Sequence, residues 1–292
     1  MPSQETSIFL SVVMPVYNEE HCVRESIRRI RAFMDLKNWA WELLIVSDGS
    51  KDDTDRLVME AAASDSHIKL LRSEQNRGKG ATVRRGVLNS SGRTILVTDA
   101  DLAAPIKEVD KLLKTLDEGF DIAIGSRAIR KAGRKSLLAA RRSGPWSAPS
   151  SPGRNFSIAA RRSGPWSAPS SPGCDVQQSW QRALSSRVFN GFVQALILQG
   201  FKDTQCGFKC FKREAALPVF EAQKLDGFCF DVEILYLAVQ RGFKIKEVPV
   251  MWKAGEKSKV RLLKDSIRMV GELFTLRKLY KSGALDKNAP SR

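Results

Sequence analysis

The sequence predicts an α/β protein: a mixed, mainly parallel sheet sandwiched by helices and interrupted by a basic insertion. Three observations carry this. From residue 8 to 127, short runs rich in Val, Ile and Leu alternate with amphipathic stretches, the pattern of strands buried on both faces and joined by helices. Polar clusters follow four of those runs, at the carboxyl ends of strands where open α/β sheets bind ligands. Residues 128–175 then abandon both periodicities for a composition rich in Ser, Pro, Gly and Arg, which cannot bury a core.

The elements follow in order. Phe9 to Pro15 reads as a buried strand, and Asn18 is expected to cap a helix from about Glu20 to Met34. Trp41 to Ser47 is a second strand, ending in Asp48-Gly49-Ser50; Asp52 or Asp53 caps a helix to about Ala63. Ile68 to Arg72 is a short strand, and the glycine-containing basic loop Asn76-Arg77-Gly78-Lys79-Gly80 leads into a helix to about Ser90. That loop matches neither a Gly-x4-Gly-Lys-Ser/Thr phosphate loop nor a dinucleotide fingerprint. Thr94 to Thr98 is a strand running into Asp99-Ala100-Asp101, and Pro105 suits the first position of the next helix. Ile122 to Gly125 is a strand ending in Ser126-Arg127.

Regular structure resumes near Val176. Trp180 to Gln199 has Leu184, Val188, Phe192 and Leu196 at helical spacing, a face that can pack on the core or rest on a bilayer. Lys202 to Lys209 is a polar turn leading into a strand, Phe228 to Gln240 an apolar helix with Asp231 and Glu233 at its start, and Ile245 to Val250 a strand. An amphipathic helix from about Val260 to Tyr280 either packs on the core or lies on a membrane surface, and a tail follows. The expected organisation is one catalytic domain over 1–262, made of halves at 8–127 and 176–262 around the inserted 128–175. The amphipathic C-terminal segment and tail occupy 263–292.

Within the insertion, Ala139 to Gly153 reads AARRSGPWSAPSSPG, and Ala159 to Gly173 repeats it unchanged. Two copies are too few for a solenoid. A disordered loop is expected, either a duplication without a role or a basic flap that brings Trp146 and Trp166 to a membrane interface.

Charge narrows the function. The formal net charge is +16 over 292 residues. Ser126 to Arg182 holds eleven Lys and Arg against one acid, Asp175, which favours an anionic partner. No nucleic-acid-binding motif accompanies that charge, and the aromatics are not interleaved with the basic residues. The two histidines, His21 and His67, lie in no evident constellation, and the five cysteines suggest no zinc spacing. Ser-His-Asp and Cys-His chemistry is therefore not expected; carboxylates, a cation and basic groups must do the work. The scattered cysteines fit a reducing, cytosol-facing compartment. No run approaches the roughly 18 apolar residues that span a bilayer, and Met1 to Thr6 does not resemble a signal peptide. Asp99 and Asp101, two carboxylates one residue apart at a strand end, suit a hard cation, Mg²⁺ or Mn²⁺.

Taken together, Val13-Met14-Pro15-Val16-Tyr17-Asn18-Glu19-Glu20, Asp48-Gly49-Ser50-Lys51-Asp52, Asn76 to Gly80, Asp99-Ala100-Asp101, Gly125-Ser126-Arg127, Asp203 to Lys209, Phe230 to Glu233 and Ser258-Lys259 resemble the inverting glycosyltransferases of family 2 with the GT-A fold. Among those they resemble the glucosyl branch of the polyprenyl-phosphate glycosyltransferases. The resemblance implies transfer of glucose from UDP-glucose to dolichyl or another polyprenyl phosphate, with inversion, at the cytosolic face of a membrane. It implies that Pro15, Tyr17, Asn18, Glu19, Asp48, Asn76, Lys79, Asp99, Ala100 and Asp101 hold the sugar nucleotide, with the metal on Asp99 and Asp101. Arg127, Ser179, Arg182, Arg187, Gln205, Lys209, Lys253 and Lys259 would face the acceptor phosphate. Asp101, Asp231 and Arg127 would be catalytic, and Glu233 would line the sugar side together with Gln205 and Asp231.

Three departures stand out. Ser47 replaces the first acid of the family's Asp-Asp-Gly-Ser, and Gln177-Gln178-Ser179 replaces its Arg-Arg-Ser. The N-terminal membrane helix of eukaryotic glucosyl members has no counterpart, so the basic loop, an amphipathic helix or a partner is expected to meet the membrane. A mannosyl transferase is the alternative within the class; a non-catalytic basic binding module is the alternative outside it.

Overall fold

The computed structural model describes residues 8–129, 200–253 and 271–278, together with 191, 193 and 198. By contacts the chain divides into one unit of residues 1–130 with 177–292 and another of 131–176; the second, with the repeated segment, Trp146 and Trp166, lies outside the described residues, as does most of the helix expected at 180–199.

Strand β1 (Leu10–Val16) turns Leu10, Val12, Met14 and Val16 to one face of the sheet and Val13 to the other, and both faces are buried. This is why it reads as an unbroken apolar run. Helix α1 (Val23–Met34) covers the first face with Ile27, Ile30 and Met34, one turn apart. Asn18 does not cap it: Cys22 occupies the cap position, and no side chain bonds there. Asn18 instead adopts φ +53°, a left-handed conformation that Asn tolerates. Its Oδ1 accepts the Lys51 N–H at 2.7 Å, tying the loop after β1 to the loop after β2. Strand β2 (Trp41–Ser47) precedes α2 (Thr54–Ser64), whose first N–H is taken by Asp52 Oδ1 at 3.0 Å. Then come β3 (Ile68–Arg72), α3 (Lys79–Leu88) and β4 (Thr94–Val97). Pro105 stands one residue ahead of a short 3-10 turn, Ile106–Glu108, and helix α4 follows at Val109–Asp117. Strand β5 is Ile122–Ser126.

After the undescribed stretch come β6 (Lys209–Lys212), α5 (Arg213–Ala222), α6 (Phe230–Gln240) and β7 (Ile245–Pro249). Helix α5 was not expected. It follows β6 without a turn and contains Pro218, which removes an internal hydrogen bond; burial of Ala215, Ala216, Val219 and Phe220 outweighs that loss.

The seven strands lie in the order β3-β2-β1-β4-β6-β5-β7. All pairings are parallel except those of β6, which runs antiparallel between β4 and β5. This reversal positions the site. The parallel strands end where β6 begins, so residues 203–208 meet the loops after β4 and β5. Helices α1, α2 and α4 cover one face, and α3, α5 and α6 the other. In the helical stretch 271–278, Leu273 and Leu276 are buried in the cluster that contains Val83, Val87 and Phe230. Those two residues therefore belong to the core; the remainder of the expected 260–280 helix lies outside the described residues.

Candidate active site

Asp99 and Asp101 follow β4, and the loop that carries them is pinned from below. The Ala100 carbonyl accepts the Ser26 hydroxyl at 2.5 Å, the Asp99 carbonyl accepts the Leu102 N–H at 3.2 Å, and Asp101 Oδ1 accepts the Ala103 N–H at 3.0 Å. Leu102 takes φ +48° to complete the turn. A lysine already supplies positive charge here: Lys79 Nζ lies 2.6 Å from Asp99 Oδ1. Burial opposes the Lys79 charge, but Asp99, Asp231 and Asp101 together hold its ammonium well above the ordinary lysine pKa. Asp101 is shifted the other way for a carboxyl. Desolvation and the negative charges of Asp99 and Glu19 hold it above the usual carboxylate range. Two carboxylates one residue apart on this pinned loop offer hard oxygen donors that fit a divalent cation.

Lys79 is aimed from two sides. Asp48, buried at the end of β2, accepts the Arg77 and Gly78 N–H groups at 2.8 and 2.9 Å. The first amides of α3 are already occupied, since Gly80 N–H and Ala81 N–H donate to the Asp226 carbonyl at 2.8 and 3.3 Å. The helix terminus is thus no phosphate cradle; its function is to hold Lys79. The brace comes from Glu233, fully buried on α6, whose two oxygens accept the Lys224 and Leu225 N–H groups at 2.8 Å each. Glu233 does not line the sugar side as expected but stiffens the 224–227 loop against α3. Two hydrogen bonds to a carboxylate stabilise by roughly 1.5–3 kcal/mol each. Glu233→Ala is expected to lower unfolding free energy by about 3 kcal/mol, measured by urea denaturation.

Gly207, which carries no side-chain chemistry of its own, shapes the other side of Asp99. A Cβ there would stand 2.2 Å from Asp99 Oδ2 and 2.5 Å from its Cγ. The signal was its place in the Asp203 to Lys209 turn, but its contact could not be read without knowing that β6 reverses. Gly207→Ala is expected to leave the fold intact, because the carboxylate can swing aside. Transfer would fall by up to about 10²-fold, the scale of a 1 Å misplacement, together with a weakened cation requirement curve; circular dichroism and a Mg²⁺ titration of activity check both.

Lys209 was expected on the acceptor phosphate. It is buried, with its Nζ 2.5 Å from Asp231 Oδ1 and 2.6 Å from the Cys206 carbonyl, so its charge is committed inside the protein. Arg127 is committed on one edge. Its Nε and Nη2 lie 2.8 Å from the two Asp203 oxygens, and Trp252 stacks 5.6 Å from the guanidinium carbon. Asp203 in turn is fixed through its N–H on Glu247 at 2.8 Å. Trp252-Lys253 reaches the carboxylate loop through Lys253 N–H on the Ala103 carbonyl at 2.8 Å, with the Lys253 side chain exposed. Gln205 is half-buried in the 203–208 turn, Pro15 is half-buried near the end of β1 and Tyr17 just after it, and Asn76 is exposed. Glu19 donates its N–H to Thr54 Oγ1 at 2.7 Å. Ser179, Arg182, Arg187 and Lys259 lie outside the described residues.

A mainly parallel sheet with one reversed strand and an Asp-x-Asp loop against a lysine defines a glycosyltransferase of the GT-A type. The family model for glycosyl transferase family 2 matches residues 11–174, and the chain belongs to that family. Curated relatives named dolichyl-phosphate beta-glucosyltransferase include one from Dictyostelium discoideum, 33% identical over 95% of this chain and 76% of its own length. Another, from Saccharomyces cerevisiae, is 30% identical over 97% and 78%. Among solved structures, glucosyl-3-phosphoglycerate synthase from Mycobacterium tuberculosis in complex with UDP superposes with TM-score 0.60 at 17% identity, covering 93% of this chain and 80% of that one. The same synthase has been crystallised with Mn²⁺, UDP-glucose and phosphoglyceric acid.

Proposed function

We propose that the chain transfers glucose from UDP-glucose to dolichyl phosphate or another polyprenyl phosphate, forming a β-linked lipid phosphate sugar at the cytosolic face of a membrane. The observation that carries this reading is the agreement between relatives of one printed activity, matched over nearly the whole chain, and a strand-end site of carboxylates and fixed cationic groups. A lipid phosphate has a second pKa of about 6, so the acceptor is already ionised at neutral pH and requires no histidine base. The task is to bring two anions together.

Asp99 and Asp101 would hold Mg²⁺ or Mn²⁺, which supplies charge neutralisation at the departing diphosphate. Lys79, held by Asp48 and the Asp226 carbonyl, adds a second positive charge on that side. Asp48 and the loop after β1, with Tyr17, Asn18 and Glu19, would receive the nucleoside. On the acceptor side, Arg127 presents the edge not bonded to Asp203, with Lys253 exposed nearby. Asp231, fixed by Lys209, positions an acceptor oxygen or a sugar hydroxyl. Among the described residues no helix is long and apolar enough to cross a membrane.

The test incubates the purified chain with radiolabelled UDP-glucose, polyprenyl phosphate in detergent micelles and Mg²⁺, with GDP-mannose in a parallel arm. Expected is organic-extractable label from UDP-glucose, released by mild acid, and far less from GDP-mannose. No label from UDP-glucose, or preferential label from GDP-mannose, would overturn the reading.

A further inference from the structure

Neither histidine was expected to join a constellation, yet the turn between β1 and α1 gathers His21 into one. Cys22 N–H and Val23 N–H both donate to the Glu19 carbonyl, at 3.0 and 2.9 Å. That closure brings the Glu19, His21 and Cys22 side chains to the same side. Their donor atoms all lie within 4.8 Å of one another, the only such group of three among the described residues. Glu19 Oε2 is 3.3 Å from Cys22 Sγ and 3.7 Å from His21 Nε2. Zinc bonds of about 2.3 Å to sulfur and about 2.0 Å to nitrogen and oxygen, at tetrahedral angles, require spacings of about 3.5 Å for S···O and about 3.3 Å for N···O. The present spacings are within a few tenths of an ångström of both.

We propose that Glu19, His21 and Cys22 form a second cation site, for a divalent ion of the zinc class, distinct from the Asp99–Asp101 pair. The donor set is what separates the two. Asp99 and Asp101 offer only hard oxygens, suited to Mg²⁺ or Mn²⁺, whereas a thiolate with an imidazole selects a softer ion. Three protein ligands leave a fourth position for water, and the His21 side chain is 50% exposed. Binding forms a metal–thiolate bond and releases the Cys22 thiol proton to solvent. The site adjoins the carboxylate loop, since Cys22 Sγ also lies 3.7 Å from the Ala100 carbonyl.

The experiment titrates the metal-free chain with Zn²⁺ against a chromophoric chelator, with Mg²⁺ in large excess throughout, and repeats it with Co²⁺ as a spectroscopic probe. His21→Ala and Cys22→Ser are the variants; the first alters an exposed side chain, and thermal unfolding of both metal-free variants checks the fold. The expected result is one zinc per wild-type chain, with affinity at least about tenfold weaker in each variant. Bound Co²⁺ should show a thiolate charge-transfer band that Cys22→Ser abolishes. Zinc affinity unchanged in both variants, or a cobalt spectrum without the thiolate band, overturns the site.

Discussion

Asp101→Asn is expected to cut sugar transfer by about 10²–10³-fold at saturating Mg²⁺, the usual scale for removing one preorganised charge from a reaction centre. The same change should leave the metal-free fold at least as stable as wild type. The two effects separate because the Asp101 carboxyl sits, through desolvation and the charges of Asp99 and Glu19, above the usual carboxylate range. A carboxyl whose folded pKa is raised favours the fold while protonated, and that contribution is lost as pH rises through the folded value. At neutral pH the ionised Asp101 is therefore a cost to the metal-free protein, and a neutral amide removes it. In the metal-free protein the stability difference between variant and wild type should shrink as pH is lowered through the folded value of Asp101, where the wild-type carboxyl is neutral as well. Thermal unfolding with a chelator across pH, and transfer assays at saturating Mg²⁺, measure the two effects. Full activity in Asp101→Asn, or a metal-free variant markedly less stable than wild type, would show that the carboxylate is structural.

Lys209→Met should be the most destabilising single change in the described site. Lys209 and Asp231 are 1% and 6% exposed, and their ion pair spans the contact between β6 and α6. Removing one partner of such a pair leaves a buried charge uncompensated and costs about 3–5 kcal/mol; in melting temperature that is roughly 10 °C. Lys79, which also acts electrostatically on Asp231, offsets part of it. Replacing both partners, Lys209→Met with Asp231→Val, should recover most of the lost stability, because neither apolar side chain needs a counter-charge. Urea unfolding of the single and double variants decides this. A single variant within 1 kcal/mol of wild type would mean that the pair is solvated.

Much of the first half of the fold was legible in the chain. Strands at 10–16, 41–47 and 122–126 match the apolar runs closely, since a strand buried on both faces is mostly apolar along its length; the edge strand at 68–72, partly exposed, also falls where its short apolar run lies. Helix starts were read less well. Asn18 and Pro105 both carry local signals for a helix terminus, yet Asn18 spends its side chain on Lys51 and Pro105 precedes a 3-10 turn. Helix α5 was missed because Pro218 argues against it locally, and only burial against β6 and α6 overrides that.

The same division runs through the site. The chain by itself determined which groups could do the chemistry: Asp99 and Asp101 a residue apart, a lysine among glycines, arginine at a strand end, and no catalytic histidine arrangement. Those are properties of composition and local spacing. Only the tertiary structure decided which of them face one another. By running antiparallel between β4 and β5, β6 brings Gly207 against Asp99 and commits Lys209 to Asp231. The 224–227 loop, held by Glu233, fills the start of α3. The turn after β1 gathers Glu19, His21 and Cys22. The first three join residues distant in sequence or depend on strand direction, which the connections between strands set; the last depends on a turn whose closure local residue types do not specify.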